Sequence, residues 1–399
     1  MTTNFKPYGR QAIDESDIAA VCEVLRSDWL TTGPAIESLE HELCAAVGAR
    51  HAVVCNSGTA SLYLAARASG IRPGQAVIVP TVTFAASASA FLLAGIDVIL
   101  ADVDENTGLL TPDSLQEALG RAGSKPVRGV VPVHLQGRPA DPMGIYEIAQ
   151  REELFVIEDA CHALGTSYNT PRQRIGDCAH SDMACFSFHP VKTIAMGEGG
   201  AITTNDNELA DHMRRLRSHA ITREAKHFQN QDLAYSADGT VNCWYYELHD
   251  ISHNFRASDI HCALAASQLR KLDIFAKERR RLVSRYRKHL TGQNPHIYVL
   301  EQPNHCDPVW HLFCVLIDFD KLATERNAVM ARLKRDGVGT QVHYIPLHMQ
   351  PYFRRLCGDL RLPGAEEYYR RVLSLPLYFG LTDDDVDQVI AALLRAVSQ

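Results

Sequence analysis

No run of this 399-residue sequence is long and apolar enough to cross a bilayer. The longest apolar stretch, around Ala85 to Leu93, contains serines and falls well short of the roughly 20 residues that a spanning helix needs. No Lys/Arg tract or basic stripe suggests nucleic acid, and the net charge is −7. That balance argues against nucleic acid as a partner. The eleven cysteines include no C-x-x-C pair. Such an odd, scattered set is expected to be reduced thiols in a cytoplasmic protein. The start, Met1 to Pro7, lacks a charged segment followed by an apolar one, so no signal peptide is expected. No G-x-x-x-x-G-K-[ST] or suitably placed G-x-G-x-x-G occurs, which excludes the common nucleotide loops. Internal repeats and low-complexity linkers are absent.

What remains is an ordinary globular composition in a chain too long for one simple core, so two domains are expected. Through the first 260 residues helix and strand patterns alternate. Asp14 to Arg26 has Ile18, Val21, Cys22 and Leu25 on one helical face, and Ile36 to Val47 has a second helical pattern. Short apolar runs at Ala52 to Cys55, Val77 to Val79, Val98 to Leu100, Val130 to Val133 and Phe155 to Ile157 are expected strands. Continuous apolar runs separated by helices predict an α/β domain with a mainly parallel sheet, covered on both faces. The pattern changes after residue 262. A long basic helix over roughly Ala263 to Leu290 is expected, with Lys and Arg facing solvent. Strands near Trp310 to Ile317 and helices over Glu325 to Asp336 and Asp383 to Val397 follow. The expected division is a large α/β domain over residues 1–262, with an N-terminal arm, and a smaller α+β domain over 263–399.

Two residues point to chemistry. Asp159 ends the apolar run Phe155-Val156-Ile157, and Lys192 follows 33 positions later in Ser187-Phe188-His189-Pro190-Val191-Lys192. A lysine amine can bond covalently to the aldehyde of pyridoxal phosphate, and a carboxylate can pair with its pyridine nitrogen. A buried carboxylate needs a cationic partner, and a pyridinium supplies one. Asn56-Ser57-Gly58-Thr59 lies between a strand and a helix. Gly58 permits close backbone approach and the helix start offers unpaired amides, which together suit a phosphate. Ser187 can reach the same phosphate. Phe84 follows a strand at the edge where ligands gather in open α/β folds. His162 is near enough to Asp159 to reach the same cofactor.

In order along the chain, Leu30-Thr31-Thr32-Gly33-Pro34, Asn56 to Ala60, Thr83-Phe84, Pro132-Val133-His134, Glu158-Asp159-Ala160, Ser187 to Lys192 and Gly197-Glu198-Gly199-Gly200 resemble the DegT/DnrJ/EryC1/StrS sugar aminotransferases. The resemblance covers about residues 8 to 395. It implies a fold-type I enzyme dependent on pyridoxal phosphate that aminates nucleotide-linked keto sugars by ping-pong transfer. Lys192 would be the covalent and catalytic residue. Asp159 would hold the pyridine nitrogen, Phe84 would stack on the ring and His162 would lie near the ring oxygen. Gly58, Thr59 and Ser187 would hold the phosphate. Asn254, with Arg256 nearby, would reach that phosphate from the partner of a homodimer with shared active sites. Tyr8, Thr31, His343, Tyr344 and His348 are the candidates for the sugar-nucleotide pocket.

Tyr8-Gly9-Arg10-Gln11, Ser218 to Arg223, Trp244-Tyr245-Tyr246-Glu247 and Gly339 to His348 are similar to the pseudaminic acid branch of that family. The branch implies a UDP-linked 4-keto-6-deoxy-N-acetyl-L-altrosamine substrate and L-glutamate as donor. Aminotransferases leading to perosamine, bacillosamine or aminoarabinose are the alternatives. Cys161 replaces a usual alanine, and Ser252-His253-Asn254-Phe255-Arg256 replaces a Gly-Tyr-Asn-Tyr-Arg-like run. Two readings of another class are a metal-dependent hydrolase, prompted by 18 histidines, and a non-catalytic regulator on the same fold. His343 and His348 are spaced five apart with Pro346 between them, unlike an H-E-x-x-H helix. No metal is expected. Intact Lys192 and Asp159 argue against the regulator.

Overall fold

The computed structural model describes residues 5–301 and 306–398. Seven strands form the main sheet: β1 (His51–Cys55), β2 (Ala76–Pro80), β3 (Asp97–Ala101), β4 (Val127–Val130), β5 (Phe155–Asp159), β6 (Met183–Ser187) and β7 (Gly200–Thr204). Their order is β1-β7-β6-β5-β4-β2-β3. The pairs β2–β3, β2–β4, β4–β5 and β5–β6 are parallel, whereas β7 runs antiparallel to both β1 and β6. The expected mainly parallel sheet is present, with one reversed strand. Every residue of β2 and β7 is buried, as a sheet covered on both faces requires.

The ladder of β4 begins and ends three residues before the expected Val130–Val133. Val133 instead makes a single parallel bridge to Asp159, so the apolar signal marked the buried exit from the strand. Helix α1 (Glu15–Arg26) starts on an Asp14 capping box, and α2 (Pro34–Val47) ends on left-handed Gly48. The face of α1 carrying Ile18 and Leu25 is exposed at 48 % and 56 %, while Asp17 on the same helix is fully buried. The periodicity located the helix, and the Val21 and Cys22 part of the same face is half-buried. α3 (Gly58–Ala68) and α4 (Ala86–Leu93) follow β1 and β2.

The expected long basic helix is two helices, α5 (Asp259–Leu269) and α6 (Leu272–Leu290). Residue 262 lies within α5, whose Cys262, Ala265 and Leu269 pack in one cluster with Leu39 and Leu43 of α2. Arg279 is an exception to the expected solvated face. It is 2 % exposed and donates to the carbonyls of Trp310, His311 and Leu377. The C-terminal region builds a second core around a three-stranded antiparallel sheet, Ile297–Val299, Phe313–Ile317 and Val372–Leu375. Helices Arg326–Arg335 and Asp383–Val397 contribute to that core. No described helix is long and apolar enough to cross a membrane.

Candidate active site

The carboxyl ends of β1, β2, β5 and β6 open on a cleft of about 930 Å³. Asp159 closes β5, Ser187 closes β6, Phe84 follows β2 and Gly58 opens α3 after β1. Lys192 comes from the loop after β6, where its N–H donates to the His189 carbonyl. A parallel sheet therefore gathers residues that are far apart in sequence. Ten of the expected site residues line this one cleft. Gly58, Thr59, Phe84, Asp159, His162, Ser187 and Lys192 are joined there by Tyr8, His343 and Tyr344.

Asp159 is 5 % exposed and is held on both oxygens. The Ser87 hydroxyl donates to Oδ2 at 2.6 Å, and the Cys161 N–H donates to Oδ1 at 3.1 Å. Burial pushes the Lys192 amine below its usual pKa, against the opposing pull of Cys161 and Asp159. Its unprotonated form is thus favoured relative to a surface lysine, as a nucleophile or proton carrier requires.

The opposite corner is made of backbone. The Ser57 hydroxyl caps α3 by accepting the Ala60 N–H. The amides of Gly58 and Thr59 have no acceptor within the helix by its geometry, and they lie at its positive end. A Cβ on Gly58 would meet the Ser187 Cβ at 2.7 Å. Glycine is therefore required for this approach of α3 to β6. Among the described residues, the donors converging here fit a phosphate, and the carboxylate and amine across the cleft fit a pyridoxal ring.

His162 is buried beside them. Its Nδ1 accepts the Gln136 N–H at 3.3 Å, and its Nε2 lies 3.3 Å from the Tyr344 hydroxyl. Burial, with the nearby Lys192 and His343, holds its pKa well below the usual value, so the ring is neutral. His343 is likewise held down to about 3 by burial and then by Lys192. Its Nδ1 bonds the Ser374 hydroxyl at 2.7 Å, and its ring lies 5.3 Å from that of Tyr8. Phe84 is exposed, with its ring 6.1 Å from that of Tyr344.

Four expected residues do not reach this cleft within the chain. Asn254 is exposed, and its side chain accepts the Arg256 N–H at 3.1 Å. Arg256 also lies outside the lining. Thr31 is exposed and bridges to Ser258. His348 is buried in a structural contact, with Nδ1 2.9 Å from the Thr81 hydroxyl and Nε2 3.5 Å from Glu366. His343 and His348 thus bond to different hydroxyls and do not converge. No grouping of three His, Cys, Asp or Glu that could hold a metal occurs among the described residues.

Three residues at the site escaped sequence reasoning: Ser87, Gln136 and His311. Ser87 faces Asp159 from α4, 72 positions earlier. The one local trace is its spacing of four from Thr83, with which it shares a 2.7 Å hydrogen bond. Gln136 meets His162 through its backbone, and the His311 ring is tilted against that of His162 with centroids 4.3 Å apart. Neither leaves a motif.

A carboxylate fixed at a strand end, a depressed lysine in the same cleft and an amide-lined phosphate corner on this sheet define a fold-type I enzyme dependent on pyridoxal phosphate. Residues 11–394 match the DegT/DnrJ/EryC1/StrS aminotransferase family, and the chain belongs to that family. It is 38 % identical over 396 residues to the spore coat polysaccharide biosynthesis protein SpsC of Bacillus subtilis, across 98 % of this chain and 96 % of that protein. Among solved structures it is similar to Helicobacter pylori PseC, an aminotransferase involved in the biosynthesis of pseudoaminic acid. That likeness has a TM-score of 0.88 and 26 % identity, and covers 98 % of this chain and 99 % of that one. The PMP-form of Spr1654 from Streptococcus pneumoniae, a putative sugar aminotransferase by its description, has a TM-score of 0.87 and 26 % identity. It covers 98 % of each chain. The chain is a sugar aminotransferase that uses pyridoxal phosphate.

Proposed function

We propose that this enzyme transfers the amino group of L-glutamate to C4 of a nucleotide-linked 4-keto-6-deoxy sugar. The substrate we favour is UDP-2-acetamido-2,6-dideoxy-β-L-arabino-hexos-4-ulose, giving UDP-4-amino-4,6-dideoxy-N-acetyl-β-L-altrosamine for pseudaminic acid biosynthesis. The observation that carries the transfer is the pairing of Lys192 and Asp159 in one cleft. The likeness to PseC along nearly the whole chain supports the substrate. Because SpsC belongs to spore coat polysaccharide synthesis, a different 4-keto-6-deoxy sugar nucleotide is the second reading.

When bound, pyridoxal phosphate supplies a carbonyl that exchanges for an amine and a ring that takes up the electron pair released at the substrate carbon. The protein does the rest. Lys192 removes the proton from the donor's α-carbon and later returns one at C4 of the sugar. Asp159 keeps a proton on the pyridine nitrogen. Gly58, Thr59 and Ser187 anchor the phosphate, Phe84 covers the ring and His162 lies near the ring oxygen. Tyr8, His343 and Tyr344 face the sugar side of the cleft.

A homodimer with shared sites fits two further features. Ile13, Ile18, Leu25, Trp29 and Leu30 are all exposed on and around α1, an apolar patch that a second copy would cover. Asn254 and Arg256 lie outside their own cleft, where they are free to serve a partner's. Buried thiols such as Cys55, Cys185 and Cys262 suit a reducing cytoplasm. The test is incubation with glutamate and a panel of UDP- and GDP-linked 4-keto sugars, with products read by mass. A preference for a GDP-linked sugar would remove the pseudaminic acid assignment. Amination of none would remove the function.

A further inference from the structure

Around the cleft wall, four hydrogen bonds join Gln136, His162, Tyr344, Tyr368 and His343 in a ring that the chain itself closes between His343 and Tyr344. The Gln136 N–H donates to His162 Nδ1 at 3.3 Å, and His162 Nε2 lies 3.3 Å from the Tyr344 hydroxyl. From the other side, the Gln136 side-chain amide donates to the Tyr368 hydroxyl at 2.7 Å. Tyr368 in turn donates to the His343 carbonyl at 3.4 Å, one residue before Tyr344. Gln136 thus grips both the histidine and the base of the loop that carries the tyrosine.

The directions of these bonds are fixed by chemistry. A backbone N–H can only donate, so Nδ1 of His162 must be an acceptor without a proton. A neutral ring then carries its proton on Nε2 and donates it to the Tyr344 oxygen. His311, 4 % exposed, packs against His162 with the two rings tilted and their centroids 4.3 Å apart. Its own backbone N–H donates to the Gln136 carbonyl at 2.9 Å, tying this ring pair to the same residue. Gln136 achieves this with a left-handed backbone, φ +66°, beside Gly137 at φ +94°. A Cβ on Gly137 would lie 2.2 Å from the Val309 carbonyl oxygen. The turn is closely constrained and presents its N–H in one place.

The consequence falls on Tyr344. Its oxygen receives a proton from His162, so its own hydroxyl hydrogen is left over. Among the described residues nothing accepts it, and Tyr344 lines the cleft. Burial raises the phenol's pKa, so it stays protonated. We propose that Gln136, Tyr368 and His311 are positioning residues that hold His162 as the neutral Nε2–H tautomer. Tyr344 is thereby presented as a hydrogen-bond donor to an acceptor oxygen of the sugar substrate. This rests on the keto-sugar reading for its ligand, but the tautomer does not.

The test has two arms. Holoenzyme labelled with ¹⁵N-histidine should give His162 the shift pair of a neutral Nε2–H ring at neutral pH, assigned by its loss in His162→Asn. A cationic ring or an Nδ1–H tautomer overturns the proposal. In the second arm, Tyr344→Phe should lose about tenfold in kcat/KM for the UDP-linked 4-keto sugar, the scale of one hydrogen bond. Tyr368→Phe should lose a smaller factor, carried by KM. In both variants the glutamate half-reaction, read from the visible spectrum of the cofactor, should lose less than the sugar half-reaction. An equal loss in both half-reactions overturns the assignment of the donor to the sugar. If the wild type aminates no keto sugar, the functional reading fails while the tautomer result still stands or falls separately.

Discussion

Ser87 holds Asp159. Its hydroxyl sits 2.6 Å from Oδ2 and is itself bonded to Thr83, so the carboxylate proposed to meet the cofactor is oriented from α4 as well as from its own strand. Asp159→Asn is expected to keep the fold and cut transamination by several orders of magnitude, because a neutral amide cannot retain the pyridinium proton. Ser87→Ala should be milder. Loss of one hydrogen bond to a charged group is worth roughly 1.5–3 kcal/mol. Cofactor affinity, measured by fluorescence titration of the apoenzyme, should fall by one to two decades, roughly. Unchanged affinity would show that the Ser87 contact is incidental.

On the proposed mechanism the cofactor bond itself depends on Lys192. Purified enzyme should be yellow, and borohydride should fix the cofactor to the chain. In Lys192→Ala the trapped label, read by mass on the intact protein, should vanish. Equal trapping in the variant would move the attachment to another lysine.

The phosphate corner is tested through space rather than charge. Gly58→Ala places a methyl 2.7 Å from the Ser187 Cβ, so α3 and β6 must separate. Overpacking of this kind costs roughly 1–3 kcal/mol. The expected outcome is weakened cofactor binding, with partial recovery in Gly58→Ala/Ser187→Gly, where the opposing Cβ is gone. A double variant no better than the single one would mean that the Ser187 hydroxyl matters more than the space.

Much of this site was legible in the sequence because a parallel sheet delivers strand ends to one edge. The motif at the end of each apolar run therefore predicts a neighbour at the site. Asp159, Ser187, Gly58 and Phe84 each end a strand or follow one closely. What could not be read is what reaches the cleft from elsewhere. Ser87 comes from a helix face, Gln136 acts through a backbone amide and His311 comes from the C-terminal region. His348 misled because a histidine in an aromatic loop looks functional, whereas burial against Thr81 gives it a packing role. On the fold, the period of α1 was sound, but it did not tell that Ile18 and Leu25 would be exposed and Asp17 buried. Periodicity reports which residues share a face, not whether that face meets this chain or another.

Asp17 is the polar anchor of that helix. It accepts from Ser267 at 2.6 Å, Gln268 at 2.6 Å and Lys271 at 2.7 Å, fastening α1 to α5 and the start of α6. Burial alone would raise its pKa, but the bonds to Lys271, Ser267, the Asp14 N–H and Gln268 outweigh it and hold the carboxyl low. A depressed folded-state pKa stabilises above the unfolded value, near 3.9, and the gain is lost as pH falls through the folded value. Asp17→Ala should therefore cost roughly 3 kcal/mol at neutral pH, seen as a lower urea midpoint. The gap to wild type should narrow as the pH drops below about 4. A gap independent of pH would assign the loss to packing instead.

The shared site can be tested without knowing the sugar. If Asn254 and Arg256 complete the partner's phosphate corner, Lys192→Ala and Arg256→Ala damage opposite halves of each site. Each variant alone should be impaired in the glutamate half-reaction, the first fully. Co-expressed in equal amounts, they form mixed dimers in half of the population. In each mixed dimer one site holds both intact residues and the other holds neither. Activity should recover to about a quarter of wild type, as random pairing in a twofold dimer requires. The readout is the rate of spectral change on adding glutamate, with tagged subunits confirming the mixed species. If Arg256 served its own chain's cleft, mixing would give only the average of the two parent variants.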